Sequence, residues 1–149
     1  RFLERSDRTI DQMIQAARSG KQNIAEGCTA STTSTESEIK LINVAKASFQ
    51  ELLADYEDYL RVRGLELWSE VDERCVRTKQ LCSQHNESEY YRQQLPERSD
   101  ETIANIAITL IHQEDYLLYR LIQRSQQDFL EKGGIKEKMY SARKQEIHI

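Results

Sequence analysis

DETIANIAITLIHQEDYLLYRLIQRSQQDFLEKGG, residues 100–134, holds no proline, and its glycines stand at its last two positions. Its apolar residues recur every three or four positions, which is the period of an α-helix and not the alternation of a strand. Asp100 offers an N-cap, and Gly133 with Gly134 offers a stop. Two apolar stripes run side by side. Ile103, Ala107, Leu110, Leu117 and Leu121 make one, and Ile111, Leu118, Ile122 and Phe129 the other. One stripe satisfies a bundle core; a second means burial on more than one side, either at the centre of the bundle or at a subunit interface.

Outward from this segment the same period recurs. A first helix is expected from about Asp7 to Glu26, with Asp7 as N-cap, Gly27 as terminator, and Ile10, Met13, Ile14, Ala17, Gly20 and Ile24 along one stripe. A glycine inside a helix costs about 1 kcal/mol against alanine, so Gly20 points to close approach by a neighbouring helix, unless it is merely tolerated. Cys28 to Ser34 reads as a small polar loop, after which Thr35 and Glu38 form a capping box. The second helix carries Ile39, Ile42, Ala45, Phe49, Leu52, Tyr56 and Leu60 down to Gly64. A third is expected over Glu66 to His85. The segment from Asn86 to Arg98, with the only proline at Pro96, reads as a connection containing a short helical turn around Tyr90 and Tyr91. Residues 135–149 form a basic tail expected to be an amphipathic helix. The expected architecture is all-α: an antiparallel up-and-down four-helix bundle over residues 1–134 with a short C-terminal extension over 135–149.

The 149 residues suffice for one domain, and the low Pro and Gly content suits helices. The formal charge is −4, which opposes a protein coated in a basic field. The charge is uneven, however. Residues 1–27 carry +1 and residues 135–149 carry +2, leaving −7 between them. A polyanion site is therefore expected only on local patches. No apolar run approaches the ~20 residues of a membrane span, so no membrane partner is expected. Cys28, Cys75 and Cys82, without a secretory leader in view, suit a reducing cytoplasm better than a disulfide framework. The chain opens on Arg1 and not Met, which leaves room for residues upstream.

No catalytic or metal constellation is visible, and no cofactor is expected. A di-iron bundle needs Glu-x-x-His on two helices, and the chain contains none. Cys82 and His85 share a face, but Cys75 lies two turns, roughly 10 Å, from Cys82 along a straight helix, so core packing is the better reading of the thiols. His112 and Asp115 stand at i and i+3 without a nucleophile beside them, which suits a satisfied polar contact. Ser19, Asn23 and Glu26 stand at i, i+4 and i+7 as a polar stripe, either a hydrogen-bonded seam or a binding surface flanked by Arg18 and Lys21.

At these residues the chain resembles a known family. SGKQNIAEG at 19–27 is similar to the Ser-x-x-x-Asn-Ile-Ala-Glu-Gly signature of the four-helix-bundle proteins encoded in 23S rRNA intervening sequences. AKASFQEL at 45–52 is similar to that family's second-helix pattern, and FLEKGGIKEKM at 129–139 resembles the suffix of its C-terminally extended variant. The common pattern has Ile at the place of Gly20 and often Pro at that of Lys21, so packing at that turn departs from it. The resemblance implies an up-and-down bundle, a homopentameric ring, no known reaction, and association with nucleic acid; a relative, the accessory protein of diversity-generating retroelements, is likewise a pentameric bundle that works with a reverse transcriptase and RNA. The expected function is thus a non-enzymatic accessory module whose expected RNA or DNA contacts are Arg18, Lys21, Lys136, Lys138, Arg143 and Lys144. The alternative is an oligomeric scaffold for a protein partner.

Overall fold

The computed structural model describes residues 8–30, 34–133 and 135–147, and within these helices the side chains of Arg18 and Lys136 lie outside the described residues. Every long element is a helix: α1 (Arg8–Ala30), α2 (Thr35–Val62), α3 (Glu73–Gln84), α4 (Ser88–Gln94), a 3-10 turn (Leu95–Glu97), α5 (Asp100–Lys132) and α6 (Ile135–Ile147). No strand occurs among the described residues. At 1.5 Å per residue α5 is roughly 50 Å long and is the spine of the molecule.

α1 runs antiparallel to α2, since Ser19 meets Ser48 and Gly27 meets Ile42. α2 runs antiparallel to α5, since Tyr59 meets Asp100 while Lys46 meets Asp115. α3 lies on α5 in turn. Packing therefore passes from α1 to α2, to α5, to α3. Two apolar clusters fill the joints. Leu52, Leu53, Leu60, Ala104, Ile108 and Ile111 dominate one, and Ile42, Leu118 and Ile122 form the other, with Phe49 packed against both. Ile42 and Leu60 are each 1 % exposed, and full burial of such a side chain stabilises by about 1.5–3 kcal/mol.

The glycines of α1 are contact positions. A Cβ on Gly20 would lie 2.7 Å from Cε2 of Phe49, so the ring occupies the space a side chain would need. Gly27, expected to end the helix, instead sits inside α1, where a Cβ would lie 3.0 Å from Cδ1 of Ile42. Cys28 to Ala30 are consequently helical and not loop; the remainder of that expected loop before Ser34, like the Asp7 cap, lies outside the described residues. Gly64 does end α2, at φ 64°, with the Leu65 N–H donating to the Leu60 carbonyl at 2.9 Å. Gly133 ends α5 at φ 72°.

Two caps fall one residue earlier than expected. Ser34, not Thr35, accepts from the Ser37 N–H at 3.2 Å, and Ser99, not Asp100, accepts from the Thr102 N–H at 3.2 Å. Asp100 is freed to accept from the Tyr59 hydroxyl at 3.3 Å.

The third helix is shorter than expected, because Glu66 and Trp68 bond to α5 and the Asp72 N–H turns back to the Ser69 carbonyl at 3.1 Å. Asn105, 3 % exposed, accepts from the Trp68 N–H at 3.0 Å and donates to the Glu66 and Glu101 carbonyls, each at 2.9 Å. The Glu66 N–H donates to the Glu101 carboxylate at 2.6 Å. One amide side chain thus supplies the partners that a helix would have supplied internally. Asp72 then caps α3, accepting from the Arg74 N–H at 2.8 Å.

Candidate functional site

Of the expected polar stripe on α1, two members meet and one does not. Asn23 donates to the Ser19 carbonyl at 2.8 Å and to its hydroxyl at 3.3 Å, and the Ser48 hydroxyl on α2 donates to that of Ser19 at 3.0 Å. This is a seam between α1 and α2, closed on itself. Glu26 is exposed and accepts from Gln22 at 2.9 Å, outside the seam.

The expected basic contacts fall into two groups. Lys21 is exposed on α1, one turn before Ile24, which packs with Ile42, Leu118 and Ile122. Lys138, Arg143 and Lys144 are exposed on α6, which leaves α5 at the end of the molecule toward which that cluster lies. The side chains of Arg18 and Lys136 lie outside the described residues. Every described side chain of α6 is exposed, so this helix stands off the core. It is not amphipathic as expected: at 100° per residue Tyr140 and Ile147 fall among Arg143 and Lys144, while Lys138 lies opposite them.

The outer face of α2 has the reverse character. Glu51, Asp55 and Asp58 stand at i, i+4 and i+7, and the Asp55 carboxyl is raised above its ordinary value, by burial first and then by Asp58 and Glu51. Repulsion among these carboxylates makes that face a poor seat for a polyanion.

His112 and Asp115 do not pair. His112 is exposed, and the partner of Asp115 is Lys46 at 3.7 Å, which also lies 5.3 Å from the centre of the Tyr119 ring. Cys75 and Cys82 are buried in the packing of α3. Burial pushes the Cys82 thiol up, opposed by a hydrogen bond with Tyr91, which is the environment of an inert thiol and not of a nucleophile or ligand. Among the described residues no three His, Cys, Asp or Glu side chains converge as a metal site, and no helix is long and apolar enough to cross a membrane.

Two concavities were not legible in the linear pattern, because both depend on where α3 rests. A groove of about 1000 Å³ runs between α3, the 66–72 segment and α5, with Trp68, Cys75, Ile108, His112, Tyr116 and Leu117 on its walls. Leu117 is 63 % and Tyr116 57 % exposed. A smaller cavity of about 430 Å³ lies on the other side of Trp68, among α3, α4 and the start of α5. At its rim Arg74 is gathered by Asp72 at 2.7 Å, Glu66 at 2.9 Å and Glu101 at 3.8 Å, and its guanidinium lies 4.9 Å from the Trp68 ring. Hydrogen bonds from Arg74, to its side chain first and then from its backbone, hold the Asp72 carboxyl down at about 2. No family model, curated protein or solved structure matches the chain.

Proposed function

We propose that the protein is a non-enzymatic helical module that self-associates and holds RNA or DNA by the phosphate backbone. The observation that carries the reading is α6: a helix with all its described side chains exposed, bearing Lys138, Arg143 and Lys144 against only Glu137 and Glu146 among its described charges. A helix that adds nothing to the core yet carries cations suits a partner of opposite charge. Lys21 is a further exposed cation, on α1. Contacts of this kind read phosphates and not bases, so discrimination between sequences is weak. The acidic face of α2 disfavours phosphate contacts on that face.

Closure of the helices into a four-helix bundle, membership in the 23S rRNA intervening-sequence family and assembly as a homopentamer belong to the same proposal. They rest on the three sequence segments quoted above and on the uncovered apolar side chains of α5. A cytoplasmic setting accords with Cys75 and Cys82 placed as buried packing residues. The test is a titration of labelled RNA and DNA at low and moderate salt: binding that weakens steeply with salt supports the reading, and no association at low salt removes it.

A second reading has its own observation. The groove of about 1000 Å³ beside α5 has an apolar wall that ends in exposed Leu117, a surface suited to a protein partner. Absence of nucleic-acid binding would turn attention there.

A further inference from the structure

The smaller cavity differs from the rest of the surface in charge. Among its lining residues are three arginines, Arg74, Arg77 and Arg98, and no carboxylate, although acidic side chains outnumber basic ones in the chain as a whole. Arg74 is committed to Asp72, Glu66 and Glu101. Arg77 is held less tightly: its ion pair with Glu73 is long at 3.4 Å, and both side chains are mostly exposed, at 73 % and 89 %. Such a pair is worth little and exchanges readily for another anion. Arg98, just before the Ser99 cap of α5, also lines the cavity.

Two tyrosines share the lining with these cations. Tyr90 is stacked face to face on His85, ring centres 3.7 Å apart and 2° from parallel, and meets Tyr91 edge-on at 5.2 Å. The Tyr91 hydroxyl donates to the His85 carbonyl at 2.7 Å. Both tyrosines are therefore fixed before any ligand arrives, which reduces the ordering cost of binding. Gln94 and Thr102 add amide and hydroxyl groups to the lining. The volume, about 430 Å³, falls within the range of small-ligand sites.

We infer that this cavity receives a single nucleotide unit, with its phosphate at Arg77 and Arg98 and its base against the Tyr90–Tyr91 wall. Guanidinium forks match phosphate geometry, and aromatic rings accept any base through its π-face. The recess between helices excludes a base paired inside a duplex, so the nucleotide is either free or part of an unpaired strand. In the second case the inference deepens the nucleic-acid reading, on which it then rests: the cavity at the start of α5 captures one unpaired residue of a strand that also reaches α6, beyond the other end of α5.

Trp68 is the only tryptophan and lines both this cavity and the larger groove, so a change in its emission is assigned to the cavity by its sensitivity to Arg77. The experiment titrates the full chain with adenosine monophosphate, with uridine monophosphate, with a short single-stranded RNA and with a duplex of the same length. Saturable change in Trp68 emission with a mononucleotide or with the single strand, at much lower concentration than with the duplex, is expected. Arg77→Gln, an exposed position whose loss leaves the thermal melt unchanged, weakens it by about tenfold, the worth of one charged hydrogen bond. Response to mononucleotides without response to the strand identifies a free nucleotide as the ligand and sets aside the nucleic-acid reading while the cavity stands. A triple substitution of Lys138, Arg143 and Lys144 by Gln tests the other part: it lowers strand affinity and leaves the mononucleotide response intact. No change in emission with any probe at millimolar concentration, or an equal change in Arg77→Gln, overturns the inference.

Discussion

Asn105 shows how one side chain redirects a whole segment. Its amide binds the backbone on both sides of residue 67 and the carbonyl of Glu101, so residues 66–72 have no need of helical hydrogen bonds. Asn105→Leu keeps the branched heavy-atom shape and removes every one of these bonds. A buried N–H and a buried carbonyl then lack partners, at about 1–3 kcal/mol each. We expect a loss of about 2–4 kcal/mol in denaturant unfolding, with Trp68 emission shifted to the red in the native state as its segment detaches. An unshifted native spectrum would show that the segment is held by other means. Gly20 makes a second residue-level prediction. Phe49 cannot swing aside freely because it packs against both apolar clusters, so Gly20→Leu is expected to lower stability by about 1–3 kcal/mol despite better helix propensity. A melting temperature equal to or above that of the parent chain would mean that the ring relocates at little cost. Asp72 adds a pH dependence. Its carboxyl titrates at about 2 in the folded chain against an ordinary 3.8, so its contribution is complete above pH 4 and is lost as pH falls toward 2. The melting temperatures of the parent and Asp72→Asn should differ at pH 7 and converge across that window.

Helices were legible in the sequence where periodicity was long and uninterrupted, and misread where a single contact outweighed local preference. The stripes of α1, α2 and α5 announced themselves, and the positive φ at Gly64 and Gly133 agrees with reading those glycines as stops. Gly27 looked the same in sequence but answers to Ile42 across the helix pair, a distance no local pattern encodes. The caps moved by one residue because Ser34 and Ser99 stand next to equally good candidates. At the polar stripe, helical spacing placed Ser19 beside Asn23 correctly, while the part played by Ser48 needed the pairing of α1 with α2. The small cavity escaped altogether, since its arginines come from α3 and the turn before α5 and its tyrosines from α4. For α6 the pattern gave a helix but not its exposure. If that helix holds phosphates, each cation removed releases fewer counterions on binding, and the slope of log affinity against log salt should flatten by about 2–3 for the triple Gln substitution at Lys138, Arg143 and Lys144. An unchanged slope would make these residues a solvated surface.

At the scale of the molecule, the question is what covers α5. Its two stripes are covered unequally: Ile111, Leu118 and Ile122 are buried within the chain, at 5–8 % exposure, and of the other stripe Leu121 packs against the same cluster while Ile103, Ala107 and Leu110 are half-buried, whereas Leu117, one residue from Leu118, is 63 % exposed beside Tyr116 at 57 %. A fully buried leucine is worth about 1.5–3 kcal/mol, so a second subunit that covered this stripe would gain that amount at each copy of Leu117. Assembly would also place several copies of α6 on one particle, adding their fields while the acidic stretches stayed apart. Light scattering at micromolar concentration should therefore return a mass several times 17.5 kDa, with five subunits expected from the family resemblance. Adjacent substitutions separate assembly from folding. Leu117→Glu places a charge in the contact between subunits and should yield a folded, helical chain of about one subunit's mass, with affinity between subunits weakened at least about a hundredfold. Leu118→Glu places the same charge in the chain's own core and should abolish the cooperative melt instead. A parent chain that is monomeric at every concentration would leave Leu117 as plain exposed surface and would remove the assembly on which the summed basic field depends; equal effects of the two substitutions would place Leu117 in the core of the subunit, contrary to its exposure.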